Sequence, residues 1–131
     1  MNQSPLARKL GIKPGHKVAL VNAPGGVSDR LEPLPEDASL EAKPGQDIDV
    51  VVLFTKSAAE VDSAKRLIQA AQPDGLLWVA YPKGGKKAGT DLNRDILRAQ
   101  VGEFGWPAIF LVAVDETWSA MRFRPADRVA G

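Results

Sequence analysis

The fold class of this chain is indicated by residues 73–93, which read PDGLLWVAYPKGGKKAGTDLN. The Pro-Asp-Gly turn is followed by an apolar run, Leu76–Ala80, whose composition is that of a buried strand. A loop rich in lysine and glycine comes next, and after it Thr90 or Asp91 can cap the start of a helix. This order of turn, strand, loop and helix is typical of a βα unit in a parallel sheet.

The rest of the chain repeats this alternation of strands and helices. Helices are predicted at Ser4–Leu10, Ser28–Leu34, Ser57–Ala71 and Asp91–Glu103. Strands are predicted at Lys17–Asn22, Ser39–Ala42, Ile48–Phe54, Leu76–Ala80, Ala108–Val114 and Trp118–Arg124. The last two strands flank a tight turn and are expected to form an antiparallel hairpin. The sequence therefore predicts a three-layer αβα Rossmann-like sandwich whose mostly parallel sheet ends in that hairpin.

The apolar periodicity also predicts which surfaces are covered. The strand Ala108–Val114 is expected to be buried, and the strand after it to have one buried and one solvated face, with Arg122 and Arg124 on the solvated side. In the two longer helices, the inward positions are Val61, Ala64, Leu67, Ile68 and Ala71, and then Leu92, Ile96, Leu97, Val101 and Phe104.

Length and composition limit the possible classes of protein. The chain has 131 residues, of which 44% are hydrophobic, and this is enough for a single globular domain over residues 1–131. The net charge of +1 disfavours nucleic acid as a partner. The absence of cysteine excludes disulfides and thiolate chemistry, and a lone histidine, His16, cannot form a histidine cluster for a metal.

Membrane and secretory segments are not expected either. No apolar run approaches the roughly 20 residues of a membrane span, and residues 1–6 lack the apolar core of a signal peptide. We therefore expect a cytoplasmic protein that does not enter a membrane.

Two loops are candidate ligand contacts, because ligands of such sheets bind beyond the carboxyl ends of the strands. Their residues are Pro24, Gly25 and Gly26 in the first loop, and Lys83, Gly84, Gly85, Lys86 and Lys87 in the second. Glycines let backbone amides converge on an anion, and the lysines add positive charge. The Gly-x-x-x-x-Gly-Lys-Ser/Thr spacing of a phosphate-binding P-loop is absent, however, and the alternatives are an ordinary turn and a solvated lysine loop.

Three further residues have both a functional and a structural interpretation. Adjacent carboxylates on Asp115 and Glu116 could act as an acid/base pair, but they also suit a hairpin turn that needs no chemistry. Trp118 could stack on a ligand, although a tryptophan at this position is expected to pack in the core.

Several short motifs resemble those of a bacterial family of unknown function. They are Leu10–Gly15, Ala23–Gly26, Tyr81–Gly84, Thr90–Leu92 and Val114–Ser119. That family has no established activity. In its order of elements the chain also resembles a shortened class I methyltransferase, which implies a cofactor loop after the first strand and an acidic residue ending the second.

This chain matches the methyltransferase pattern only in part. Its first loop has one glycine pair and a proline where methyltransferases have Gly-x-Gly-x-Gly, and no Asn-Pro-Pro-Tyr motif is present. Glu41 stands where methyltransferases hold the ribose of S-adenosylmethionine. The leading prediction is a non-catalytic domain that binds a small anionic ligand or a protein partner at the carboxyl edge of its sheet. The alternatives are a minimal S-adenosylmethionine-dependent methyltransferase and a module that dimerises through an exposed strand or Trp118.

Overall fold

A computed structural model describes residues 4–41 and 47–128 of the chain. Its strands are β1 (Lys17–Val21), β2 (Ser39–Glu41), β3 (Val50–Phe54), β4 (Leu76–Pro82), β5 (Ala108–Ala113) and β6 (Trp118–Phe123). Its α-helices are α1 (Pro5–Lys9), α2 (Val27–Arg30), α3 (Ala58–Ser63), α4 (Lys65–Ala70) and α5 (Arg94–Glu103). Two short 3₁₀ helices, Gly85–Ala88 and Ala126–Arg128, complete the secondary structure of this part of the chain.

The six strands form one sheet in the order β2-β1-β3-β4-β6-β5. The first four strands of this order run parallel, whereas β6 is antiparallel to both of its neighbours, β4 and β5. The chain leaves β1 towards one side to form β2 and returns on the other side to form β3, so the topology switches direction between β1 and β3. The predicted Rossmann-like fold, mostly parallel with a terminal hairpin, is confirmed.

Each face of the sheet buries its own apolar cluster. The first face is the side covered by α1 and α2, and the second face is the side covered by α3, α4 and α5. The first-face cluster includes Leu6, Leu10, Val18, Leu31, Val52, Phe54, Trp78 and Trp118. The second-face cluster includes Ala19, Leu53, Val61, Ile68, Val79, Leu97, Val101 and Met121. The prediction that Trp118 packs in the core is therefore confirmed.

The helix predicted at Ser57–Ala71 is two helices, α3 and α4. The N–H of Ala64 donates to the carbonyls of both Glu60 and Val61, which tightens the turn there and ends α3. Val61 and Ile68 stay buried on either side of this break, because they are seven residues apart and share a helix face. Ser57 caps α3 as predicted, since its hydroxyl accepts the Glu60 N–H.

The predicted start of α5 is wrong. The helix begins at Arg94, and its N-cap is Asn93, whose side chain accepts the Ile96 N–H at 2.8 Å. Asp91 instead accepts the Ala58 N–H at the start of α3, also at 2.8 Å. Asp91 therefore caps a neighbouring helix, which a sequence pattern cannot show because the two segments lie 33 residues apart.

Thr90 also forms a hydrogen bond to a segment distant in sequence. Its hydroxyl donates to the Lys56 carbonyl at 2.6 Å and accepts the Leu92 N–H.

The inward position predicted for Ile96 is wrong as well, since this side chain is 43% exposed. Leu97 and Val101 alone fill the core side of α5, and Gln100 turns towards α3, where it donates to the Ala58 carbonyl.

The prediction that the strand Ala108–Val114 is buried is wrong over most of its length. Ile109, Phe110 and Leu111 are 40%, 46% and 38% exposed. The physical reason is the strand order: β6 inserts between β4 and β5, so that β5 becomes the edge of the sheet. β6 is for the same reason an interior strand, and it is buried along most of its length. Arg122 and Arg124, which were predicted to be solvated, are both half-buried.

The remaining predicted bounds differ by a few residues. α2 begins at Val27 and stops at Arg30, and β3 begins at Val50 rather than at Ile48. β2 is confirmed over Ser39–Glu41, while Ala42 lies outside the described residues.

Candidate functional site

The switch point between β1 and β3 carries an open depression at the carboxyl edge of the sheet. Its volume is about 450 Å³, and it is lined by Val21, Asn22, Leu53, Glu60, Ser63, Ala64 and Leu67. Asn22, which follows β1 directly, has a φ of 59°. Asparagine is among the few residues that adopt this left-handed conformation at modest cost, and it ends the strand here.

The depression combines an apolar floor with a polar rim. Val21, Leu53 and Leu67 supply the apolar part. Two rim side chains are held by hydrogen bonds to the backbone: Glu60 Oε1 accepts the Lys56 N–H at 3.0 Å, and Ser63 Oγ donates to the Ala59 carbonyl at 3.0 Å. The site is thus partly preformed.

Glu41 lies on the same face of the sheet as this depression. In the parallel register, Glu41 pairs with Ala19, and Val21, two residues further along β1, pairs with Leu53. Paired residues of adjacent strands share a face, so Glu41 is on the second face, one strand away from Val21. Its Oε2 accepts the Ser39 hydroxyl at 2.8 Å, which orients the carboxylate.

The predicted first loop, Pro24–Gly26, follows the same strand but leads to α2 on the first face. Gly26 has a φ of 91° and is the N-cap of α2, so a glycine is needed there for its conformation. A Cβ on Gly25 or Gly26 would meet no other atom within 4 Å, and both glycines are exposed. The loop is therefore open to solvent at these two glycines.

The predicted second loop, Lys83–Lys87, follows β4 and contains the first 3₁₀ helix. Lys83 is engaged with the β5–β6 turn: its Nζ donates to the Asp115 carbonyl at 2.6 Å, and its N–H donates to the Thr117 carbonyl at 2.8 Å. Lys86 and Lys87 are exposed. Gly84 and Gly85 have φ values of 95° and 55°, which the tight turn requires.

The two predicted loops thus lie at one edge of the sheet, but they do not face each other directly. β3 separates their parent strands, and the first loop leads to the first face while the second leads to the second face. Anion binding by Pro24, Gly25 and Gly26, or by Lys83, Gly84, Gly85, Lys86 and Lys87, stays a prediction.

Asp115 has the structural role that the hairpin interpretation gave it. Its Oδ1 accepts the N–H groups of Thr117 and Trp118 at 2.7 and 2.8 Å, which closes the β5–β6 turn. Its Oδ2 pairs with Arg30 Nη1 at 3.0 Å, while Arg30 Nη2 donates to the Val114 carbonyl. These bonds engage both carboxylate oxygens, whereas the neighbouring Glu116 is exposed.

The sequence did not mark the residues that line the depression as a site. Glu60 was assigned to a capping box, and Leu67 to the apolar stripe of a helix. The structure confirms the Ser57 half of that box, whereas the Glu60 carboxylate accepts the N–H of Lys56, one residue before the N-cap. The sequence feature that could have identified this site is the turn after β1, because the crevice that binds ligands lies at the carboxyl end of the strand before a switch point.

Within the described ranges, no group of three or more histidine and carboxylate side chains is placed to hold a metal ion. No described helix is long and apolar enough to cross a membrane.

Comparisons with known proteins identify the fold. No protein-family model matches the chain, and no curated protein sequence matches it significantly. The chain is similar to the structure of a SAM-dependent methyltransferase from Aquifex aeolicus, with a TM-score of 0.61 and 11% identity over 90% of this chain and 86% of that one. It is similar to DhpI, solved as a complex with SAH, with a TM-score of 0.59 and 13% identity over 94% and 83% of the two chains.

A third similar structure is the fibrillarin pre-rRNA processing protein from Methanococcus jannaschii. Its TM-score is 0.58, with 8% identity over 88% of this chain and 68% of that one. Likeness at these identities shows the fold alone, which is the Rossmann-like fold of S-adenosylmethionine-dependent methyltransferases. The resemblance to a bacterial family of unknown function stays a prediction.

Proposed function

We propose that this chain is a non-catalytic ligand-binding domain that holds a nucleoside-type ligand, such as S-adenosylmethionine, at the switch point of its sheet. The observation that carries this proposal is the depression between β1 and β3, whose volume of about 450 Å³ suits a small molecule. In open α/β sheets, ligands bind in the crevice outside the carboxyl ends of the strands at such a point.

The chemistry of the rim supports a ligand with hydroxyl groups. Glu60 lines the depression, and Glu41 lies on the same face at the end of β2. A carboxylate at the end of the second strand is the group that binds ribose hydroxyls in dinucleotide-binding folds. The apolar floor formed by Val21, Leu53 and Leu67 can pack against a base.

The charge at this edge refines the predicted anionic ligand. Glu60 borders the depression and Glu41 lies one strand away on the same face, so a bare phosphate is disfavoured there by repulsion. Lys56, Lys86 and Lys87 are exposed in the loops after β3 and β4 and supply positive charge for an anionic tail. We therefore propose a ligand whose nucleoside part lies in the depression, with any acidic group directed towards these loops.

The test is calorimetric titration with S-adenosylmethionine, S-adenosylhomocysteine, adenosine and inorganic phosphate. We expect saturable binding of at least one nucleoside compound. Because a hydrogen bond to a charged group contributes about 1.5–3 kcal/mol, Glu41→Gln should weaken binding on the order of tenfold or more. Glu103→Gln, which removes a carboxylate from the exposed end of α5, is the matched control and should leave binding unchanged.

Two other results would contradict nucleoside binding in the depression. If none of the three nucleoside compounds gives a saturable heat, the proposal fails. If phosphate binds instead and Lys86→Gln with Lys87→Gln abolishes this binding, the loop interpretation from the sequence is correct and the depression is not the site.

Methyl transfer is the second candidate, and the likeness to S-adenosylmethionine-dependent methyltransferases favours it. It requires an acceptor bound next to the cofactor and, for most acceptors, a group that takes up a proton. Incubation with S-adenosylmethionine and a panel of acceptors, followed by chromatography for S-adenosylhomocysteine, separates the two candidates. Binding without product supports the non-catalytic proposal, whereas turnover supports the enzyme.

A further inference from the structure

A second cavity lies at the opposite end of the sheet, where β3 and β4 begin. Its volume is about 360 Å³, and it is bounded by the end of α1, by the turn before β4 and by side chains of β4, β5 and β6. Gly75 and Leu76 mark its position at the amino end of β4. The proposed nucleoside site lies at the carboxyl end, so the two cavities are separate.

One wall of this amino-end cavity is a row of three side chains across the strands. Trp78 of β4 and Phe110 of β5 both pair with Arg122 of β6. The two rings meet edge to face, with centroids 5.5 Å apart and an interplanar angle of 85°. The indole Nε1 donates to the Leu10 carbonyl at 3.0 Å, so the polar atom of this buried ring is already satisfied. The accessible apolar surface of the row is the Phe110 ring, which is 46% exposed.

Arg122 is the unusual member of this row. Its Nε is buried and has no hydrogen-bond partner among the described residues. Its Cζ lies 5.8 Å from the centre of the Phe110 ring, which is a cation–π distance. Burial lowers the pKa of Arg122, and the positive charge of Arg124 lowers it further, so the local environment disfavours the cation.

An arginine Nε–H that is buried without a hydrogen-bond partner costs free energy, which a bound anion would recover. Arginine binds carboxylates through parallel N–H donors in a fixed fork, and this geometry favours a planar oxyanion. The structure therefore contains a donor that is held in place and has a free N–H.

The remaining charges at the cavity limit the charge of a ligand. Lys9 and Lys13 add to Arg122, whereas Asp49 and Asp74 oppose it. Lys9 Nζ already donates to the Ala113 carbonyl at 3.2 Å, and Asp49 Oδ2 already accepts the Lys17 N–H at 2.8 Å. Such a mixed set suits one negative charge better than two, because the acidic side chains repel a dianion.

We propose that the amino-end cavity binds an organic monocarboxylate, with the carboxylate on the guanidinium of Arg122 and its apolar body against Phe110, beside the buried Trp78. The volume of about 360 Å³ is at the lower end of the range for small-molecule sites, which fits a compact acid rather than a nucleotide. This proposal uses no residue of the carboxyl-edge site and does not depend on it.

The test uses 3-phenylpropionate as the probe and 3-phenylpropanamide as its neutral match. Binding is followed by ¹H–¹⁵N NMR through the side-chain Nε–H signals of Arg122 and Trp78. We expect a saturable shift of both signals with the acid and, because the charge-assisted hydrogen bond is lost, affinity lower by on the order of tenfold or more with the amide.

Two arginine variants distinguish the specific effect of the Arg122 guanidinium on binding from the effect of the protein's overall charge. Arg122→Gln should weaken binding of the acid by on the order of tenfold or more, whereas Arg98→Gln, on α5 at the other side of β5, should leave it unchanged. Phe110→Ala keeps the guanidinium and removes part of the apolar wall; since Phe110 is an exposed edge residue, this variant is expected to fold and to bind more weakly.

Three results would overturn the proposal. These are the absence of any saturable shift with the acid, equal affinity for the acid and the amide, and unchanged binding in both Arg122→Gln and Phe110→Ala. Each is independent of nucleoside binding at the carboxyl edge, so failure of one site is distinguishable from failure of the other.

Discussion

The carboxyl and amino ends of the sheet differ in how their polar groups are satisfied. At the carboxyl end, Lys83 donates to the Asp115 carbonyl, and Asp91 accepts the Ala58 N–H. At the amino end, the Nε of the charged Arg122 is buried without a partner in the described part of the chain. The other such atom is Gln100 Oε1, a neutral amide oxygen whose own Nε2 donates to the Ala58 carbonyl. A buried polar atom without a hydrogen bond is therefore stronger evidence for a ligand site than charged residues in a loop are.

The difference has a physical origin in chain connectivity. The loops at the carboxyl end are long enough to fold back, so their side chains reach the backbone of neighbouring segments. Arg122 sits inside a strand between two other strands, and its position is fixed by the ladder. Its Nε is buried and has no hydrogen-bond partner among the described residues, whereas an exposed lysine in a loop is solvated by water.

The largest expected effect comes from the apolar wall at the amino end. Trp78→Ala should lower the free energy of unfolding by about 3–5 kcal/mol, because it opens a cavity in the core and leaves the Leu10 carbonyl without its donor. Urea denaturation followed by circular dichroism measures this change. Phe110→Ala is the control at the exposed side of the same row and should cost much less.

If Trp78→Ala costs less than about 1 kcal/mol, the wall is not tightly packed. In that case the cavity at the amino end would not be preformed, and the contrast between the two ends would weaken.

The lysines at the carboxyl end should show a smaller and graded effect. Lys83→Met should destabilise the fold by about 1 kcal/mol, because it removes the bond to the Asp115 carbonyl. Lys86→Met should stay within about 0.5 kcal/mol of the parent, since that side chain is exposed. Equal values for both variants in urea denaturation would show that Lys83 is not engaged in solution.

Much of the fold could be predicted from local patterns. The apolar run at Leu76–Ala80 and the β-branched run at Val50–Phe54 are strands in the structure because such runs suit a sheet covered on both faces. The burial of β5 could not be predicted this way. Its apolar run resembles that of a central strand, but burial depends on the strand order, and only the insertion of β6 places β5 at the edge.

The candidate sites show the same limit. The carboxyl edge was predicted from topology, since it needs only the order of strands and helices. The cap made by Asp91 and the unpaired Nε of Arg122 both depend on contacts between segments far apart in sequence. Asp91 lies before a helix and is interpreted locally as its N-cap, and Arg122 alternates with apolar residues and is interpreted locally as a solvated strand residue. Neither local pattern contains information about the distant segments that the residue contacts.

The smallest expected effect concerns Tyr81, near the carboxyl end of β4. Burial raises its pKa above the ordinary value of 10.0, and the nearby Asp95 adds to this, while Arg94 and the hydrogen bond with Ser119 act in the opposite direction. The folded protein therefore holds the phenol proton more tightly than the unfolded chain does. The resulting stability is complete below pH 10 and is lost as the pH rises through the folded pKa.

Because the chain has a single tyrosine, the ultraviolet absorbance of tyrosinate reports on this group alone. We expect its midpoint above 10.0 in the folded protein, and a fall in the free energy of unfolding as the pH rises above 10.0 that is smaller in Tyr81→Phe. A midpoint at or below 10.0 would mean that Arg94 and Ser119 outweigh burial. The polar partners of Tyr81 would then stabilise its charged form, in keeping with the hydrogen-bonded polar groups at this end of the sheet and in contrast to the unpaired Nε of Arg122 at the other end.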